Sequence, residues 1–203
     1  PLSAASLLAA LKEVVSDRMA MLCTLVMTLG FGQMFALLSS AQQIFGDTYG
    51  RTESFPLWFA LMAVLAGSGS LLNSRLVMRV GMRKLAMRSY LVQAIFSAMV
   101  LPVIWSEYLS ESSAFALFFI WAVSIFFMAG MTFGNLQALA MQRMGHIAGM
   151  AASVVTAVST VASVAIAAPV GLAYDGTPVP VMAGASIAST LAWLAMKSIR
   201  DPR

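Results

Sequence analysis

Charge is what this chain has least of. Only 10% of its 203 residues are Asp, Glu, Lys or Arg, against 60% hydrophobic residues, and the mean hydropathy is +0.87. So few charged groups cannot clothe a globule in a polar surface, which excludes an ordinary soluble domain and leaves an integral membrane protein. Cysteine is scarcer still: Cys23 stands alone inside an apolar run, so no internal disulfide and no thiolate cluster can form. With one histidine besides, no metal and no cofactor is expected. The chain opens on Pro1 and has no charged region ahead of a short apolar stretch, so it is expected to begin partway through a longer polypeptide.

The bases that are present carry a pattern. A net charge of +4 and a pI near 9.7 would suit nucleic acid, but the Lys and Arg residues cluster at the ends of apolar runs without interleaved aromatics, so no nucleic-acid partner is expected. The densest cluster is Asn73-Ser-Arg-Leu-Val-Met-Arg-Val-Gly-Met-Arg-Lys84. A charged side chain at a bilayer centre costs about 2.5–3.5 kcal/mol, so Arg75, Arg79, Arg83 and Lys84 are expected on a water-exposed loop, on the cytoplasmic side by the positive-inside tendency.

Around that anchor the chain divides into residues 1–18, whose Leu7, Leu8, Leu11, Val14 and Val15 predict a helix lying in the cytoplasmic interface, and a six-helix domain over 19–203. Spans are expected at about 19–40, 55–77, 85–105, 113–141, 147–168 and 179–196, each close to the length that crosses about 30 Å of hydrocarbon. Pro169, Gly171 and Asp175-Gly-Thr-Pro178 are expected to form an outer turn. Eleven of the twelve bases then fall on one side, Lys12, Arg18, Arg88, Arg143, Lys197, Arg200 and Arg203 joining the cluster, and only Arg51 falls on the other. Both ends of the segment are therefore expected in the cytoplasm, with the protein in the inner (plasma) membrane.

A short repeat suggests finer order. Phe31-Gly-Gln-Met-Phe-Ala-Leu-Leu38 on the first span is similar to Phe133-Gly-Asn-Leu-Gln-Ala-Leu-Ala140 on the fourth, 102 residues later. Three spans per unit make the second copy inverted, so the expected fold is all-α, six transmembrane helices as a 3+3 inverted repeat, the arrangement that is nested within each six-helix half of a major facilitator fold. No span holds Asp, Glu, Lys, Arg or a central His, so this segment offers no proton-binding residue of its own. The polar groups within the spans are amides and hydroxyls. Gln33 and Asn135 occupy matching places in the repeat, Met34 adjoins Gln33, and Met131 and Phe127 lie about one and two helical turns before Asn135. These five form the candidate substrate site, apolar and polarizable with one or two amides to orient a ligand. Glycine-flanked Ser68 and Ser70 and His146 superficially suit a serine protease, but they belong to a span interior and a cytoplasmic edge, so no enzyme is expected.

From the basic cluster onward the chain resembles major facilitator drug:proton antiporters of the Bcr/CflA multidrug efflux branch. The likeness lies in Leu72-Asn-Ser-Arg-Leu-Val-Met-Arg-Val-Gly-Met-Arg-Lys84, Phe133-Gly-Asn-Leu-Gln-Ala-Leu-Ala-Met141, Gly145-His-Ile-Ala-Gly149 and Ala173-Tyr-Asp-Gly-Thr177. The chain departs from that pattern at Gln142-Arg143, where the family has Glu-Pro, and at Met150, where it has Thr. The resemblance implies the C-terminal half of a secondary transporter that exports small amphipathic drugs in exchange for protons by alternating access. It also implies a cytoplasmic gate built from Asn73, Arg75, Arg79, Gly81 and Arg83. Implied partners are the drug, protons, the lipid bilayer and the missing N-terminal six-helix half, in the same polypeptide or as a second copy. A carrier of another small solute and a non-transport membrane scaffold are the alternatives.

Overall fold

A computed structural model of the chain describes residues 4–198, with side chains from Leu8 onward; the predicted bases Arg200 and Arg203 lie outside the described residues. Seven α-helices follow in order: α1 (Ala4–Ser16), α2 (Arg18–Gln43), α3 (Phe55–Val80), α4 (Met82–Trp105), α5 (Glu111–Ala140), α6 (Ala148–Leu172) and α7 (Val179–Ser198). Six of them, α2 to α7, are long and apolar enough to cross a membrane.

Local chemistry sets their ends. Asp17 separates α1 from α2 and caps the latter, its carboxylate accepting from the Ala20 N–H at 2.8 Å. α2 runs past its expected end into a π-helical turn, Ile44–Thr48, which tightens into a loop at Gly50. α3 begins with Pro56 in its first turn, where a missing N–H is harmless. Ser110 caps α5, accepting from the Ser113 N–H at 3.4 Å.

Two expected loops are helical. The basic stretch is no loop: α3 continues through Arg75 and Arg79 to Val80, Gly81 alone breaks the chain, and α4 resumes at Met82 with Arg83 and Lys84 in its first turn. Charge must leave hydrocarbon, but a helix can carry it there by extending beyond the apolar layer, and its backbone hydrogen bonds stay satisfied on the way. Likewise Pro169 and Gly171 belong to α6, which continues to Leu172, so the turn is shorter than expected.

α2 and α5 form the centre. α2 packs on α5, α6 and α7; α5 packs on α3 and α4; α4 packs on α7. α3 and α6 make no substantial contact with each other, so they flank an open front while α4 and α7 close the back. The two ends differ in chemistry. At one lie the bases of α3, α4 and α7 with Arg143, and at the other Asp47, Glu53, Glu107, Glu111 and Asp175. The acidic end is tied by edge-on aromatic contacts of Phe45 with Phe115 and Phe118, centroids 5.5 and 5.9 Å apart. There Arg51, among the described residues the lone base at that end, stacks its guanidinium 4.1 Å from the Phe115 ring centre. α1 lies across the basic end with Ala10 and Val14 buried against the bundle, while Leu8, Leu11 and Val15 remain exposed.

Candidate functional site

The open front exposes faces of α2 and α5 that other helices do not cover. On the α3 side these faces form a groove of about 640 Å³, lined by Phe31 and Met34 of α2, Gly67, Ser70 and Asn73 of α3, and Phe126, Gly130 and Phe133 of α5. Glycine is what lets this wall close. At Gly69 a Cβ would collide with the Phe127 carbonyl, and at Gly130 it would come within 3.0 Å of the Ser70 backbone nitrogen, so α3 and α5 touch backbone to backbone. Phe31 and Phe133, which also line the groove, meet with ring centres 4.4 Å apart.

Both candidate amides are engaged between helices. Gln33 is buried, and its Oε1 accepts from the Ser189 hydroxyl of α7 at 2.8 Å, while its Nε2 donates to the Leu29 carbonyl one turn back at 3.4 Å. Asn135 is also buried, and its Nδ2 donates to Asn73 Oδ1 of α3 at 2.7 Å and to the Met131 carbonyl at 2.9 Å. In hydrocarbon such bonds lock helix pairs, each contributing on the order of 0.6 kcal/mol. Ser189 gave no signal in the sequence, being one small hydroxyl among many in an Ala-rich span. The resemblance assigns Asn73 to the gate, and the structure joins it to Asn135, so the two sets of residues meet at this bond.

The five candidate site residues therefore do not share one cavity. Met34 lines the front groove. Phe127 and Met131 line a different groove, between α4 and α5 on the flank of the bundle. Gln33 faces α7, and Asn135 bridges α5 to α3. The front groove is lined mainly by residues outside that set of five, Phe31, Phe126, Gly130 and Phe133, although the Phe-Gly pair recurs in the repeat.

At the basic end, Arg75 and Arg79 are exposed on the last two turns of α3, and among the described residues neither pairs with a carboxylate. Arg79 lies in the final turn, where its charge favours the helix C-terminus. Arg83 is half-buried at the start of α4. Gly81 joins the helices at φ +86°, a conformation open to glycine and strained for side chains. Arg143 pairs with Asp17 at 3.8 Å, and His146 Nε2 lies 3.3 Å from Glu13, so both side chains after α5 reach back to α1 and its junction with α2. At the other end, Asp175 accepts from the Thr177 hydroxyl at 2.7 Å and the Thr177 N–H at 3.1 Å, and the hydroxyl's bond above all holds its carboxyl below the ordinary range.

Compared with known proteins, the chain matches no family model, no curated protein and no solved structure.

Proposed function

We propose that this chain is one six-helix half of a secondary transporter of the major facilitator kind, which exports small amphipathic compounds against protons across the inner membrane. The observation that carries the reading is the pairing of the helices. Exchanging α2, α3 and α4 for α5, α6 and α7 turns the α2–α6 contact into α5–α3 and the α2–α7 contact into α5–α4, and leaves α2–α5 and α4–α7 as they are. Because each unit has three spans, such an exchange inverts the chain across the membrane, and inverted repeats place substrate at their mutual interface near the midplane. The front groove at the α2–α5 contact is the corresponding wall, with Phe31, Met34, Phe126 and Phe133 to meet an apolar ligand. Both ends of the segment would then face the cytoplasm with the basic residues. Asn73, Arg75, Arg79, Gly81 and Arg83 would form the gate, and protons would bind in the other half.

The repeat register differs from the one the short motif suggests. Helix starts Arg18 and Glu111, and Phe55 and Ala148, are 93 residues apart, and Met82 and Val179 are 97 apart, against 102 for Phe31 and Phe133. Gln33 and Asn135 bond to α7 and α3, which the exchange does not relate. The helix pairing supports an inverted repeat without the motif.

The test uses the complete polypeptide containing this segment, reconstituted in liposomes with an imposed proton gradient and a fluorescent lipophilic cation. Substrate-dependent proton movement is expected, and Met34→Ala and Phe133→Ala should change the ranking of several such cations. Gradient-independent permeation equal to protein-free liposomes would overturn the transport reading in favour of a scaffold.

A further inference from the structure

The flank groove between α4 and α5 has the form of a site for a phospholipid chain. It is about 280 Å³ in volume and is bordered by Val92, which with Ile95 and Met99 belongs to the exposed aliphatic ridge of α4. Leu85, Phe96, Phe127, Met128 and Met131 make its walls apolar. The hydroxyls and amide that also border it are turned back on the protein. Ser89 donates to the Leu85 carbonyl at 2.9 Å, Ser124 to the Trp121 carbonyl at 2.6 Å, and the Gln93 amide to Ser97 at 3.2 Å. A polar solute would find few open partners there, whereas a hydrocarbon chain needs none.

One charge marks the groove, and it stands at one end. Arg88 is exposed at the rim, and among the described residues it meets no carboxylate or aromatic ring. Side chains on a helix lean toward its N-terminus, which for α4 is the basic end, so the guanidinium leans out of the apolar section. Along α4 the groove runs from Leu85 to Phe96, about 16 Å at 1.5 Å per residue. That is close to half of a hydrocarbon core about 30 Å thick, the depth of one leaflet. We infer that this groove holds an acyl chain of an anionic phospholipid from the leaflet at the basic end, with Arg88 on its phosphate. The inference requires only that the helices lie in a bilayer, and it stands apart from the transport reading. It also assigns Phe127 and Met131 to lipid instead of to a transported solute.

The test begins with the protein purified in dodecyl maltoside containing equimolar phosphatidylglycerol and phosphatidylcholine, with bound lipid counted by native mass spectrometry. The protein should retain the anionic lipid about five-fold over the zwitterionic one, the factor one base contributes at an anionic surface. Arg88→Gln should bring that ratio to about one, while Lys84→Gln, whose charge lies outside the groove, should leave it unchanged. Phosphatidylglycerol bearing a diazirine midway along its chain should label the unsubstituted protein within residues 124–131, and free glycerol phosphate should not compete. A ratio unaffected by Arg88→Gln, or lowered as much by Lys84→Gln, would reduce the preference to diffuse charge and overturn the site. Labelling spread evenly along the outer ridge of α4, or abolished by glycerol phosphate alone, would also overturn it.

Discussion

Gly67 and Gly69 stand two residues apart in the stretch Gly67-Ser-Gly-Ser70, and the fold gives them opposite surroundings. A methyl group at Gly67 would have nothing within 4 Å, whereas at Gly69 it would run into the Phe127 carbonyl, with Phe127 Cα 3.1 Å away. The obstacle is backbone, so no side chain can swing aside. Replacing either glycine with alanine favours the helix by about 0.8–1 kcal/mol. Overfilling a tight contact costs about 1–3 kcal/mol. Gly67→Ala should therefore be neutral to stabilising by up to about 1 kcal/mol, and Gly69→Ala neutral to destabilising by up to about 2 kcal/mol. The two variants should differ by about 1–3 kcal/mol, roughly 5- to 150-fold in folded population. Both can be measured by titrating dodecyl sulfate into dodecyl maltoside micelles and following circular dichroism and tryptophan fluorescence to the midpoint. Gly130→Ala should fall between them, since the Ser70 hydroxyl that it meets can rotate while the Ser70 nitrogen cannot. Equal midpoints for Gly67→Ala and Gly69→Ala would refute the backbone-to-backbone crossing of α3 and α5, and with it the shape of the front groove.

At Gly81, φ is +86° and ψ 146°, outside the left-handed helical region that asparagine tolerates, so Gly81→Val and Gly81→Asn should each destabilise the fold by about 1–3 kcal/mol in the same titration; an unchanged midpoint for the valine variant would mean that the α3–α4 joint relaxes freely. A double-mutant cycle of Gln33→Leu and Ser189→Ala should return a coupling of about 0.6–1.7 kcal/mol, and zero coupling would show that the α2–α7 hydrogen bond is not made. The Asp175 carboxyl is held below its ordinary range, so its favourable contact is complete above the unfolded carboxyl's pKa and is lost as pH falls through the folded value. Thr177→Val should raise the Asp175 pKa in a carbon-13 titration, and an unmoved titration would exclude the hydroxyl as its main partner.

Much of the architecture was legible because it follows from local transfer energies. All six spans were placed within a few residues of their helices, and the ends of α5 and α7 within two. The misreadings are of one kind. Charge alone predicts a loop for the basic stretch, but charge does not require irregular backbone, and α3 carries Arg75 and Arg79 on continued helix to a single glycine. The site residues fared differently. Met34, Phe127 and Met131 share chemistry and span type, yet one lines the front and two line the flank. The motif pairs Gln33 with Asn135, while its bonded partner, Ser189, is 156 residues along the chain.

The amino-acid sequence by itself determined that this chain forms six membrane-length helices, and it confined the bases to their ends. Both follow from the free energy of moving each residue between water and hydrocarbon, a sum over neighbours in the chain. Which face of each helix looks inward was decided only by tertiary structure. These helices are apolar all round, so no polar side marks the outer surface, and rotation about the axis is set by where backbones can approach and hydroxyls can reach amides. Gly69 against Phe127, Gln33 with Ser189, and Asn135 with Asn73 are the contacts that choose it.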